Sequence, residues 1–227
     1  KFKKLITSKT KIIAITHGEV INSDISIDAT GKIVTPGFID LHSHSDFSFL
    51  LDSTAQSKLR QGVTMELLGN CGFSLCAPLN KYTKEDFDSW ISEYTDTFDI
   101  TWSDFGGYIA ASKKAKATIN LAFQVGHGTL RASVMGYEDR TPSADELDKM
   151  KNLAGECLDA GALGLSTGLV YSPGTYSRTD ELISIAEEVS KRNKLYSTHQ
   201  RDEGNDSVGL YVSLNEAIEI GRRAECK

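Results

Sequence analysis

From residue 37 onward the chain alternates short apolar strands with amphipathic helices, and this restricts it to folds built from parallel βαβ units. Five strands are expected, over Phe38–His42, Val63–Leu68, Ile119–Val125, Ala162–Gly168 and Lys194–His199. A helical stretch at Ala55–Gln61 stops at Gly62, a natural C-cap. Ser143-Ala144-Asp145-Glu146 is a capping box. It opens a helix whose Leu147, Met150, Leu153, Ala154 and Leu158 fall at helical spacing. Leu182, Ile185, Ala186 and Val189 mark a further helix, and Leu214, Ala217, Ile218 and Gly221 a last one. Residues 83–116 read as two helices parted by Ile100-Thr101-Trp102 and Gly106-Gly107, too much chain for one βα return, so a helical insertion is expected near 79–116.

An open doubly wound sheet would alternate in the same way, but it carries a Gly-rich phosphate loop after its first strand. Here that strand runs into His42-Ser43-His44 instead. Each strand ends in a polar cluster, the pattern of a barrel whose working face lies at the strands' C-terminal ends. The fold class is therefore α/β: a partial TIM-like (β/α)8 barrel, its first five βα units filling residues 37–227. Residues 1–36 differ. Lys11–Ile15, Gly18–Ile21 and Asp24–Asp28 are short β-like pieces, read as part of a small β-sandwich domain that needs strands from elsewhere.

Composition excludes more than it selects. Hydrophobic residues at 40% and charged residues at 25% suit a globular core, and the net charge of −6 comes without a Lys/Arg cluster, which argues against a nucleic-acid partner. No apolar run nears the roughly 18–20 residues of a membrane helix, and Lys1–Ile6 lacks the apolar segment of a signal peptide. Cys71, Cys76, Cys157 and Cys226 form no C-x-x-C pair and read as reduced thiols, so a cytoplasmic location is expected. Oligomeric state is not legible.

His42 and His44 lie two apart at the end of the first strand, where strand geometry puts both imidazoles on one face. Cys71 ends the second strand and His199 the fifth. Singly, Cys71 reads as a buried spectator and His199 as a capping or core histidine. Placed together at one barrel mouth, imidazole nitrogens and a thiolate are good zinc donors.

Thr35-Pro36-Gly37-Phe38-Ile39-Asp40-Leu41-His42-Ser43-His44 resembles the first barrel strand of the amidohydrolase superfamily. Most of its members place a carboxylated lysine on the fourth strand. This chain has no lysine in Leu163–Gly168 and carries Gly69-Asn70-Cys71-Gly72 on the second strand, similar to the N-acyl-D-amino-acid deacylase (D-aminoacylase) branch. Gly126–Arg131, Gly164–Pro173 and Ser197–Glu203 agree with it. The resemblance implies zinc-dependent hydrolysis of the amide bond of N-acyl-D-amino acids, giving a carboxylate and a D-amino acid.

The same resemblance matches His42 and His44 to ligands of a weaker metal position, Cys71 to a thiolate reaching both positions, and His199 to a ligand of the tightly held zinc. Tyr171 matches a substrate-contacting tyrosine. His127 and Arg131 are expected to pack or to orient other groups, and Arg201, Asp202 and Glu203 to be a solvated run or loop anchors. No catalytic residue is assigned within the chain: the resemblance places the remaining zinc histidine on a sixth strand, the acid/base aspartate on an eighth, and the substrate's carboxylate-binding arginine also downstream. Asp46 and Asp52 do not stand in for them. The alternatives are a cyclic-amide hydrolase of dihydroorotase or hydantoinase type, which the missing lysine and Cys71 count against, and a non-catalytic truncated barrel module. Reading the coding DNA past Lys227 separates these. A histidine closing the next strand and an aspartate two units later are expected, and a stop codon at 228 would favour the non-catalytic module.

Overall fold

In the computed structural model, residues 28, 30–75, 79–92 and 100–227 are described. They fall into two units, 1–37 and 38–227. In the first, the expected β-sandwich strands lie almost wholly outside the described residues. Residues 30–37 are exposed, and Thr30 N–H bonds to the Asp28 carboxylate at 2.9 Å.

The second unit carries five strands, β1 (Phe38–Asp40), β2 (Val63–Leu68), β3 (Asn120–Gly126), β4 (Gly164–Gly168) and β5 (Leu195–His199). They form one sheet in the order β1-β2-β3-β4-β5, with every neighbouring pair parallel. A doubly wound sheet reverses its strand order at a switch point. Strictly sequential order is that of a (β/α)8 barrel, and five strands make a half-barrel.

Helices follow the strands: α1 (Ser48–Leu51) and α2 (Gln56–Leu59) after β1, α3 (Lys81–Ser92) and α4 (Phe105–Ala115) after β2, α5 (His127–Met135) and α6 (Ala144–Asp159) after β3, α7 (Thr179–Lys191) after β4, and α8 (Leu210–Arg223) after β5. Alternation along each strand sorts side chains between the helix layer and the barrel interior. On β3, Phe123 and Val125 join Leu68, Leu165 and Met150 in the main core, while Gln124 between them takes part in a polar network. A second cluster of Leu182, Ala186 and Ile220 binds α7 to α8. The Ser143–Glu146 capping box forms with both reciprocal bonds in place.

The chain departs from the sequence expectation at three places. β1 ends at Asp40, because the Asp40 carboxylate accepts His42 N–H at 3.1 Å and turns the backbone out of the ladder. His42 and His44 therefore project from a bend rather than a strand. Gly106 and Gly107 open α4 instead of preceding it, since Asp104 caps the helix through Gly107 N–H at 2.8 Å. Finally, Gly126-His127-Gly128 is not a loose strand end: α5 begins at His127.

Helix α5 is fixed by a charge inside the protein. Arg131 and His127 are fully buried and meet Glu181 of α7, Arg131 through two bonds of 2.7 and 2.8 Å and His127 Nε2 at 3.0 Å. Burial pushes the Glu181 carboxyl up, but the hydrogen bond and charge of His127 and the charge of Arg131 outweigh it and hold it below the ordinary 4.5. Both residues thus have the packing role expected of them. A lowered carboxylate contributes stability that is complete above about pH 4.5 and is lost as pH falls through its folded value. Glu181→Gln leaves Arg131 buried without a counter-charge, so urea unfolding at neutral pH should show a loss of about 3–5 kcal/mol. The gap to the parent should narrow below about pH 4.

Candidate metal centre

The C-terminal ends of the strands are tied together by a relay of buried polar side chains. Asn70 donates to the carbonyls of Ser43 (3.1 Å) and Leu67 (2.8 Å), Gln124 donates to the Asn70 amide oxygen (3.1 Å), and Ser197 donates to Gln124 (3.0 Å). Ser166 on β4 donates to the Gly69 carbonyl at 2.5 Å and accepts Gly72 N–H at 3.1 Å. Asp46, buried, accepts Gly69 N–H at 2.9 Å, and its burial pushes that carboxyl up to about 7. Every strand is thereby tethered to the loop 69–72 that carries Cys71.

That loop is held in an uncommon shape. Cys71 has φ 55°, in the left-handed region that costs a non-glycine residue about 1–3 kcal/mol. Its neighbours impose it: the loop packs directly on β4, where a Cβ on Gly168 would overlap the Cys71 carbonyl and crowd the Tyr171 ring at 3.1 Å. On the other side, Thr129 N–H in the first turn of α5 bonds to the Gly72 carbonyl at 3.1 Å, and Thr129 Oγ1 accepts Ser74 N–H at 3.0 Å.

Three side chains converge on this loop. The ligand atoms of His42, His44 and Cys71 all lie within 4.8 Å of one another. Cys71 Sγ is 3.2 Å from His42 Nε2 and 3.5 Å from His199 Nδ1. His199 stands outside the compact group of three and reaches it through the sulfur. Burial, with the nearby charges of His42 and His199, lowers His44 and so favours the neutral imidazole that can ligate. Burial, then the carboxylates of Glu203 and Asp46, raises the Cys71 thiol. A cation between these groups would reverse that shift, since a coordinating thiol is deprotonated outright. The donor set of imidazole nitrogens around one sulfur fits zinc.

Beside the donors opens a cavity of about 390 Å³ whose wall includes His44, Cys71, Phe73, Phe87, Thr129 and Tyr171. Tyr171, on the cavity wall, packs edge-on against His199 with ring centroids 4.9 Å apart. Arg201 is no solvated charge. It grips Glu216 of α8 through two bonds of 2.8 and 2.9 Å and donates to the carbonyls of Thr175 and Ser177, pinning the segment that follows Tyr171. Asp202 accepts from Gly209, Gly204, Ser207 and Asp206 N–H, which hold it well below the usual carboxylate range and wind the loop leading into α8. Only Glu203 stays largely exposed, 3.6 Å from His199 Nε2. Cys76 lies outside the described residues. Sequence reasoning missed Gln124, Ser166 and Ser197, whose single signal was a polar residue at an inward-facing strand position.

The matching family model, described as "Amidohydrolase family", covers residues 26–222. This chain belongs to the amidohydrolase family. Within the family it groups with the D-aminoacylases. It is 36% identical to a D-aminoacylase of Alcaligenes xylosoxydans xylosoxydans over 88% of its own length and 40% of that protein's. It is 35% identical to an N-acyl-D-glutamate deacylase of the same organism over 95% of its length and 43% of that protein's. In three dimensions it is similar to the N-acyl-D-glutamate deacylase of Bordetella bronchiseptica, solved with zinc and a phosphonate inhibitor that mimics the tetrahedral intermediate of the reaction. The TM-score there is 0.74 at 34% identity, over 88% of this chain and 40% of that one. The amidohydrolase chain thus spans about two fifths of the length of the relatives it matches.

The contact between the Cys71 loop and β4 in this amidohydrolase is directly testable. Gly168→Ala should cost about 1–3 kcal/mol through overpacking. It should also weaken zinc binding by displacing Cys71, both readable as a lower Tm and a weaker competition with a chromogenic chelator.

Proposed function

We propose that the protein containing this chain hydrolyses the amide bond of N-acyl-D-amino acids, releasing a carboxylate and a D-amino acid, with zinc as its metal. The observation that carries this reading is the convergence of His42, His44 and His199 on Cys71 at the wall of an open cavity. In this proposal those four residues hold the metal, with one tight position and a second, weaker one available to His42 and His44. A bound zinc ion would supply Lewis-acid polarisation of the amide carbonyl and a water acidified to about 7.

The chain's own residues orient and enclose. Glu203 faces Nε2 of His199, which leaves Nδ1 turned toward Cys71 as the ligating nitrogen, the arrangement in which an outer carboxylate sets a ligand's tautomer. Tyr171 forms a wall of the substrate pocket and keeps the His199 ring in place by edge-on packing. The polar relay beneath the site keeps the metal-bearing loop from yielding when substrate enters. No helix among the described residues is long and apolar enough to cross a membrane, and the substrate is a small molecule. We place the enzyme in the cytoplasm, on its reduced-thiol pattern.

The test is amine release from N-acetyl-D-amino acids by the full-length protein, with N-acetyl-L-amino acids and a hydantoin as controls. Turnover of the D series, abolished by a chelator and restored by zinc, is expected. Cys71→Ala should lose more than the about 10–100-fold that follows loss of a ligand's outer partner. Turnover of the hydantoin alone, or zinc-independent turnover, would overturn the reading.

A further inference from the structure

The 390 Å³ cavity beside the candidate metal centre has a largely apolar wall. Its lining comes from the Cys71 loop, from Thr83 and Phe87 on α3, from Gly128, Thr129 and Ala132 on α5 and from the Tyr171–Gly174 segment. Among the described lining residues there is no lysine, arginine, aspartate or glutamate. Phe73 and Phe87 meet edge to face at 5.0 Å, giving the cavity an aromatic wall.

An N-acyl amino acid is lopsided about its amide. The acyl side carries no charge, whereas the amino-acid side bears a carboxylate one carbon from the scissile nitrogen. If the amino acid's side chain entered this cavity, the carboxylate branching from the same carbon would be drawn to a wall whose described lining residues offer it no cation. An unpaired carboxylate taken out of water is expensive, while apolar groups gain by the same transfer. Volume points the same way. An apolar cavity of about 150 Å³ accommodates benzene, and this one is more than twice that size, far beyond what an acetyl group fills.

We infer that this cavity is an acyl-binding pocket, and that the enzyme favours N-acyl-D-amino acids with medium-length alkyl or aryl acyl groups over N-acetyl ones. The inference rests on the hydrolase reading above. Relatives that differ in the amino acid they act on, D-aminoacylase and N-acyl-D-glutamate deacylase, match this chain equally well, so likeness does not set the acyl preference. The pocket wall does. Burying one methylene is worth about 0.8 kcal/mol, a factor of about four in kcat/KM for each added carbon until the cavity is full.

The experiment uses the full-length, zinc-loaded protein and two substrate series. One lengthens the acyl group from acetyl to octanoyl, with phenylacetyl, on constant D-alanine. The other varies the side chain on constant acetyl. Both kcat/KM and calorimetric Kd are measured for each. A rise of about fourfold per methylene in the acyl series is expected, and Ala132→Phe, which fills the cavity, should flatten it. A flat or falling acyl series would overturn the inference. So would an Ala132→Phe variant that flattens the side-chain series instead. If that variant fails to fold, the chain-length dependence of the parent still decides. Turnover of no substrate at all would refute the hydrolase reading, and the calorimetric acyl series would then decide the pocket on binding alone.

Discussion

A buried amide relay sets the geometry of the whole strand-end face. Asn70 and Gln124 are nearly inaccessible to solvent, and a polar group so placed is stabilising only if its partners are in position. Their bonds run from the backbone beside His42 and His44, across β2 and β3, to Ser197 two residues before His199. The residues that bring the histidines together are thus not the histidines. A network that must be satisfied in full fixes the mutual register of four strand ends, and the imidazoles follow from it. Ser166 extends the same logic to β4 by bridging Gly69 and Gly72, which leaves Cys71 suspended between two fixed points.

The helix layer reinforces that face from outside. The Arg131–Glu181 pair locks α5 to α7, and α5 in turn holds the Cys71 loop through Thr129. Arg201 does the equivalent work between α8 and the segment carrying Tyr171 and Pro173. These two arginines are anchored by carboxylates and carbonyls, so neither turns its charge toward the cavity beside the candidate metal centre, whose described lining carries none. Charges in this half-barrel are spent on rigidity, and the cavity is left to apolar contact.

Much of the fold could be read directly from the sequence, because strand and helix periodicities differ and the caps are explicit. The Ser143 box and the stripes of α6 and α7 lie where the pattern puts them. The cluster of His42, His44, Cys71 and His199 could also be read, since imidazoles and a thiol at the ends of β1, β2 and β5 are chemically conspicuous. The failures share a cause: a side chain redirecting the backbone locally. Asp40 turning out β1 before His42, Asp104 capping α4 across two glycines, and Glu181 burying the start of α5 all depend on a partner that periodicity does not reveal. The strained Cys71 was invisible for the same reason, because its φ is imposed by a β4 backbone nearly a hundred residues away.

The apolar surface left open follows the same division between a fixed strand-end face and an unfinished periphery. Ile39 and Leu41 at β1, Leu195 at the start of β5, and Tyr211 and Ile218 on α8 are all substantially exposed. They lie at the two sheet edges that have no strand partner among the described residues, or on the helix beside one of them. In a parallel barrel such positions face further strands and helices. None of them belongs to the relay, to the Cys71 loop or to the cavity wall. The contacts that gather His42, His44, Cys71 and His199 close among β1 to β5 and their own helices, whereas no contact among the described residues closes the barrel. A scaffold divided in this way lets the local chain set the geometry of these four side chains, independently of what packs on the sheet's open edges.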